Sequence, residues 1–580
     1  MLASLLLGLT ALSVPAGDAA AGNANPPLAA PEFLLESAAG QRVSLWAPRP
    51  SRVGTVVVFL RRDCPLSQRL APAVARLAAD YGDQGFTVLA VDATPGGSAA
   101  DSAAFAAKHG LFVDPLLDPF GTVAPRLGVA RAGTAVVLDE RLVAVYRGPV
   151  DDRPASGEGR AQNEFVADAF EELLSGGEVA DRAEDGPGMA LAPATRPKVT
   201  FHGQVAPILH AQCAECHRPG QVGPMELLDY DDAKGWAPQI AEVVGNGRMP
   251  PWHADPRFGQ FENERRLTDT EKATLIAWAE GGAPSGDAKR KATPPVFDDG
   301  GWAIGKPDLV MQLPAPEAIP ATGYLDYQYR LVDPGIKEDV WVQAAEIRPT
   351  ARDATHHVLA LYIPPGKAPL EALSGLQDGS IVGAGYFAVQ VPGCRPNLYP
   401  PGAGKKIEAG AKFLFQLHYT PNGTATSDQC QMGLQFCKQP PTQEVKTRGV
   451  FSHRLRIPPN TAGYVTTAEW AFRRPTRLIS MFPHMHTRGA AFRFEKVAGS
   501  GAGEERTILC DVPKYDFNWQ NFYLPVEPPR FAAGERILCT ATYDNSKDNP
   551  FNPDPSRTVT WGDQTYEEMM IGYIDYIEEE

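Results

Sequence analysis

Two stretches without periodic apolar residues divide this chain before any element is assigned. Glu178 to Lys198 and Ala283 to Pro307 are dense in Gly, Ala, Pro and charged residues. That composition reads as linker, because it offers no repeating face to bury. A chain of 580 residues also exceeds what a single core supports. The division expected is a domain over residues 27–176, a linker over 177–198, a small domain over 199–287, a second linker over 288–305, and a long remainder in two parts, 306–440 and 441–580. The 55 Gly and 54 Pro favour turn-rich β structure in that remainder. A net charge of -15, with no cluster of Lys and Arg, argues against a nucleic-acid partner.

The chain starts MLASLLLGLTALSVPAGDAAAG, an apolar run closed by Pro15 and followed by small residues around Ala19 to Ala21. This is the form of a cleaved secretory signal over residues 1–21, although no Lys or Arg precedes the run. A periplasmic or secreted protein without a membrane span is expected. Export permits disulfides among Cys394, Cys430, Cys437, Cys510 and Cys539, with one left over, and Cys510 with Cys539 is the pair expected.

Residues 27–176 alternate strand and helix patterns: VGTVVVFL, a helical spacing from Pro65 to Tyr81, FTVLAVDAT, then the hairpin-like TAVVLDERLVAVYRG. An α/β domain follows from that alternation. In the small domain a first helix should end near Cys213, and a last one should begin at Thr268, where Thr268-Asp-Thr-Glu271 has capping-box form, and run to Gly281. The remainder shows short alternating runs broken by PPG, PNG and DNP turns, the pattern of β-sandwiches.

Cys213-Ala-Glu-Cys216-His217 places two thiols where they can add to haem vinyl groups and an imidazole where it can take an axial iron position. With eight Cys and 11 His in the whole chain, that pattern is specific. A zinc half-site would need a second Cys pair nearby, and there is none. Arg248-Met249-Pro250-Pro251-Trp252-His253 offers two sixth ligands, Met249 and His253. The stretch from Ile208 to His253 resembles a class I cytochrome c, in which a Met-Pro-Pro turn presents the sulfur, so the resemblance favours Met249 and an all-α domain. Thioether with imidazole closes the iron to oxygen and suits electron transfer.

Further on, histidines and methionines fall in Thr355-His356-His357-Val358, Gln416-Leu417-His418-Tyr419, Pro483-His484-Met485-His486 and Glu568-Met569-Met570. In a strand His484 and His486 share a face, whereas His356 and His357 point apart unless a bulge or strand end intervenes. Taken one at a time, these pairs are equally what core or surface histidines would give.

Their order and flanks resemble the copper type II, ascorbate-dependent monooxygenases, the family of peptidylglycine α-hydroxylating and dopamine β-monooxygenases. The resemblance covers the chain from about Lys306 and implies a double jelly-roll-like sandwich. It assigns one copper to His356, His357 and His418, a second, oxygen-binding copper to His484, His486 and Met569, and a place between the two sites to Gln416. Imidazole suits copper generally, and thioether favours Cu(I). The chain departs from the peptide-hydroxylating members at Phe482, where they carry a carboxylate-binding Arg, and at Ile571, where they carry an Asn. Tyr573 remains, and Met570 replaces a disulfide cysteine.

The first domain resembles a thioredoxin-like redoxin, with Cys64 just before a helix, where a thiol pKa can fall. Asp63-Cys64-Pro65-Leu66-Ser67 has no second Cys, and Gly133 stands where that fold usually has a cis-proline. Dithiol exchange is therefore not expected; a redox-active single thiol at Cys64 and a degenerate docking domain are the two readings left.

The whole resembles a redoxin, cytochrome c and copper monooxygenase fusion. The implied activity is hydroxylation of a C–H bond of a small-molecule or peptide substrate with O2. Its implied cofactors are covalent haem c and two copper ions, with ascorbate or an electron-donor protein as reductant. The alternative is an electron-transfer or copper-binding haem protein that hydroxylates nothing.

Overall fold

The computed structural model describes residues 29–49, 51–154, 161–180, 182–191, 198–297, 301–368, 385–393 and 395–579. The expected leader and Cys394 lie outside them.

The N-terminal domain is a five-stranded sheet ordered Leu116–Leu117, Phe86–Asp92, Gly54–Leu60, Thr134–Asp139, Ala144–Pro149. Its first three strands run parallel and the last two antiparallel. Every residue of Gly54–Leu60 is buried, as a central strand covered on both faces requires. Helix Pro65–Tyr81 covers one face with Leu66, Leu70, Val74 and Leu77.

Between the linkers the described residues form short helices, Ala206–Gln212, Tyr230–Gly235, Ala237–Gly245 and Asp269–Glu280, preceded by a π-helical turn at Phe201–Val205. Thr268 caps the last by accepting from the Glu271 N–H, while Glu271 accepts from the Thr268 N–H. Trp278, Leu275, Leu209 and Phe201 form a small core. Much of this segment is loop, and only seven α-helices occur among the described residues of the chain, so helix is a minor component beside a large β-rich remainder.

That remainder is two sandwiches joined more closely than the sequence suggests. The strands Ala403–Ile407 and Gln443–Phe451 pair in parallel, so one nine-stranded sheet runs through both. A second contact is face to face. In Thr355–Ile363, Val358 and Ala360 enter the first sandwich's own core, while Leu359, Leu361 and Ile363 turn outward. They meet Phe482, Ile571 and Tyr573 of the second sandwich in a separate apolar seam. Sheets buried on both faces are otherwise typical of α/β proteins; here each sandwich covers the other.

A buried ion pair crosses the same boundary. Lys405 Nζ lies 3.3 Å from Asp575 Oδ1, and both side chains are almost fully buried. Ser480 donates to Asp575 at 2.9 Å, Thr447 also donates to it, and Lys405 donates to the Phe387 carbonyl. Burial pushes the Lys405 pKa down and the Asp575 carboxylate pushes it back up.

The expected Cys510–Cys539 disulfide is not formed; Cys430, Cys437, Cys510 and Cys539 are all free. Strand Gly489–Ala498 lies between the two that carry Cys510 and Cys539, and Phe494 pairs with both cysteines. Two strand spacings, about 9.5 Å, exceed what a disulfide spans.

Asp575→Ala would strand the buried ammonium and is expected to cost about 3–5 kcal/mol of unfolding free energy in urea titrations. Lys405→Met with Asp575→Asn should cost clearly less. A single-variant loss below about 1 kcal/mol would show that the pair does not hold the seam.

Candidate functional site

Strand alternation decides which way each singled-out side chain points. Leu414, Gln416 and His418 lie on the seam face of Lys412–Tyr419, while Phe413, Phe415 and Leu417 enter the first core. Phe482 and His484 share the seam face of Thr476–His484, and His484 pairs with Ile571. His357 pairs with His418, and a register shift between Thr355 and His357 supplies the bulge that lets both His356 and His357 face the same space.

His356, His357 and His418 converge, with ligand atoms within 4.8 Å of one another. His356 Nδ1 approaches His357 Nδ1 at 3.0 Å and His418 Nδ1 at 3.2 Å. Across the seam His484 and His486 have ring centroids 5.3 Å apart, and His357 is 6.3 Å from His484. The five rings thus form one cluster fed by both sandwiches.

The second pair is held by its Nδ1 atoms. His484 Nδ1 bonds Gln520 Oε1 at 2.7 Å, and His486 Nδ1 bonds the Glu567 carbonyl at 3.2 Å. Because those partners accept, each ring carries its proton on Nδ1 and keeps the Nε2 lone pair for another partner. His357 Nε2 and His486 Nε2 are buried without a hydrogen bond of ordinary geometry. Glu568, buried, accepts from the backbone N–H of His486 at 2.8 Å and of Arg488 at 2.7 Å, fixing the turn after the strand. Burial raises its pKa to about 8, while those N–H groups and Arg488 oppose the rise.

Met569 is buried in the seam with Phe482, Ile571 and Tyr573, and its carbonyl accepts from Tyr543 at 2.6 Å. Gln416 donates to Tyr329 Oη at 2.9 Å. Phe482 stacks on Phe522 at 4.5 Å and on Tyr573 at 5.9 Å, an aromatic wall where an Arg would be charged.

Burial pushes every imidazole down: His356 and His484 to about 4, His486 to about 3, His418 to about 2, and His357 well below its ordinary value. Neighbouring imidazoles add to burial at His357, His418 and His486. Neutral imidazoles with buried, unpaired nitrogens are a donor set that fits copper.

The haem-type motif is equally ordered. The Cys213 carbonyl accepts from the Cys216 and His217 N–H groups at 3.2 and 2.9 Å, a turn that gathers the three side chains. His217 Nδ1 donates to the Met225 carbonyl at 3.1 Å, which leaves Nε2 for an axial metal. Gly223 packs so closely that a Cβ there would lie 2.7 Å from His217 Nδ1. These features fit a covalently held haem. Met249 is half-buried. Burial lowers the His253 pKa.

What the sequence reading missed is the bridge between the two sites. Trp252 and Phe261 leave the helical segment and pack with Tyr523 in the core of the second sandwich. Asn521 donates to the Pro251 carbonyl at 3.3 Å, next to Gln520, which holds His484. Phe517 of the same loop stacks on His356 at 4.8 Å, and Tyr327 covers His418 at 4.6 Å. On the other side Cys216 and Glu215 line a 170 Å³ cavity opposite Arg352 and Thr355, the residue before His356. Phe517, Gln520, Asn521 and Tyr523 sit in no motif; they come from an irregular segment whose course only the fold decides.

Cys64 is the N-cap of Pro65–Tyr81 and is buried. Burial opposes its ionisation, but hydrogen bonds from Met189, Ser67 and Leu66 outweigh it and hold the thiol below its ordinary pKa.

Residues 28–150 match the AhpC/TSA family. They form a thioredoxin-like redoxin domain. Among solved structures the chain is similar to a hypothetical protein from Sinorhizobium meliloti, with 22% identity over 30% of this chain and 98% of that one and a TM-score of 0.27. An uncharacterized conserved protein from Geobacillus kaustophilus shows 25% identity over 30% and 96% of the two chains, TM-score 0.27. A putative thiol:disulfide interchange protein from Chlorobium tepidum shows 22% over 26% and 95%, TM-score 0.21. No curated protein matches.

Because the imidazoles take up protons in the unfolded chain near their ordinary value of 6.5 but resist them when folded, metal-free protein should lose stability as pH falls from about 6.5 toward 4. Each imidazole adds up to about 1.4 kcal/mol per pH unit. Urea midpoints at pH 7.5 and 5.5 check this, and equal midpoints would contradict the buried neutral cluster.

Proposed function

We propose that this chain is an exported copper-dependent monooxygenase that hydroxylates a C–H bond of an organic substrate with O2, with electrons supplied through a covalently bound c-type haem. On this reading residues 199–287 are a cytochrome c domain, and the two sandwiches are the monooxygenase. The single observation that carries it is the seam: five neutral imidazoles from two sandwiches, with the buried Met569 on the same face. When bound, copper supplies one-electron chemistry with O2, and haem an electron store.

The chain's own residues set the conditions. His356, His357 and His418 would hold one copper, and His484, His486 and Met569 the other. Gln520 and the Glu567 carbonyl orient the second pair, and Tyr327 and Phe517 shield the cluster from water. The wall of Phe482, Phe522 and Tyr573 supports a substrate that offers an apolar C–H group rather than a carboxylate. Pro251, Asn521, Gln520 and His484 make a short linked path from the haem segment to the seam.

A second reading is favoured by the 6.3 Å between His357 and His484: a close copper pair that stores and passes electrons and hydroxylates nothing. Protein matured with a c-type haem assembly system should bind about two copper ions per chain and consume O2 with reductant and a C–H substrate panel. Met569→Ala should retain copper at the three-histidine set and lose at least about 100-fold in hydroxylation. Copper binding without hydroxylation of any substrate would establish the second reading, and no copper binding would overturn both.

Asn521→Ala should slow anaerobic reoxidation of pre-reduced haem by bound Cu(II) about ten-fold in stopped-flow spectra. An unchanged rate would exclude this path.

A further inference from the structure

The linker between the redoxin domain and the helical segment does more than connect. Residues 186–191 turn back across the redoxin domain and pair with the loop Ala130 to Gly133. The Gly188 N–H donates to the Ala132 carbonyl at 3.1 Å, the Ala132 N–H to the Met189 carbonyl at 2.8 Å, and the Leu191 N–H to the Ala130 carbonyl at 2.9 Å. Arg131 and Ala190 form an antiparallel bridge, so the segment acts as a short added strand. Its ends are fastened too: the Gly186 N–H donates to Thr134 Oγ1 at 2.8 Å, and Leu191 is buried in the redoxin core.

The fit is tight. A Cβ at Gly186 would lie 2.5 Å from the Gly133 carbonyl group, and one at Gly188 would run into the Ala132 carbonyl. Only glycine lets the two backbones approach this closely. Above the thiol the segment closes the remaining opening. The Met189 N–H hydrogen-bonds to Cys64, Arg61 reaches over to the Ala190 carbonyl at 2.5 Å, and Cys64 is left 2% exposed.

We propose that residues 186–191 are a latch that closes Cys64 off from reagents, and that the thiol becomes reactive only when this segment lifts. The latch is held by a few backbone bonds and one arginine and has no side chain wedged into the core except Leu191. A segment of that kind opens locally at a lower free energy than the domain unfolds. Lifting the segment withdraws the Met189 N–H but leaves Cys64 the helix N-terminus and the Ser67 and Leu66 N–H groups that favour a thiolate, so access is what the latch controls. The inference stands on the redoxin domain alone and is independent of any bound copper or haem.

The test is alkylation of the whole native protein by iodoacetamide, with Cys64 and Cys430 followed separately by mass spectrometry. Cys430, buried in the first sandwich, reports unfolding there, and amide exchange of the buried strand Gly54–Leu60 reports unfolding of the redoxin domain itself. In the unaltered protein Cys64 should label at least about 100-fold more slowly than in urea. Gly188→Val, which crowds the Ala132 carbonyl, should raise the Cys64 rate about ten-fold or more with Cys430 and the Gly54–Leu60 amides still protected. Arg61→Ala, which removes one tie without crowding anything, should raise it in the same direction. The latch is overturned if native Cys64 labels as fast as in urea, if neither variant changes its rate, or if Cys64 labels only together with exchange of the Gly54–Leu60 amides.

Discussion

The face-to-face packing of the two sandwiches is the constraint on which the rest depends. Each contributes a sheet that is apolar on both sides, and neither sheet could be left open to water: Leu359, Leu361 and Leu414 on one and Phe482, Ile571 and Tyr573 on the other would form a large exposed patch. Burying them against each other fixes the spacing between the strand that begins with Thr355, His356 and His357, the strand that closes with His418 and Tyr419, and the strand that ends in His484. The continuous sheet through Ala403–Ile407 and Gln443–Phe451 and the Lys405–Asp575 pair hold the same boundary from the side. The histidines are thus placed at the end of a hydrophobic seam, where removal from water keeps them neutral.

Two stretches of the helical segment reach this point from outside the sandwiches, and the redoxin domain docks on that segment. The stretch from Pro251 to Asn263 leaves the helical segment and is stitched to the loop that carries Phe517, Gln520 and Asn521. The cysteine motif borders the start of the strand bearing His356. The redoxin domain docks on the helical segment through Asp269, which accepts from the Leu34 N–H and pairs with Arg126. The redoxin domain, the cysteine motif and the histidine cluster are therefore physically connected through the helical segment.

The legibility of all this in the sequence follows the range of the interactions. Period-two alternation is local, as is the Thr268 capping box, which could be read directly; His486, expected to share a strand face with His484, lies instead beyond the strand end, and the turn there brings the two rings to 5.3 Å. The condition on His356 and His357, a bulge, could be stated in advance because it follows from the same periodicity. Strand order is not local. Nothing between Cys510 and Cys539 announces that Gly489–Ala498 inserts between their strands, so the expected disulfide was excluded by topology. The latch was equally hidden: a Gly-rich stretch reads as linker, and its pairing with Ala130 and Ala132 depends on a loop more than 50 residues earlier. Gln520 and Phe517 lie in irregular structure, where no periodicity marks a direction.

On the proposed function the seam gathers imidazoles from both sandwiches, together with one thioether, around copper. Copper K-edge X-ray absorption on the Cu(I)-loaded protein tests it most directly. Imidazole multiple scattering and one sulfur neighbour for every two coppers are expected, and a copper coordinated only by oxygen scatterers would rule this ligand set out.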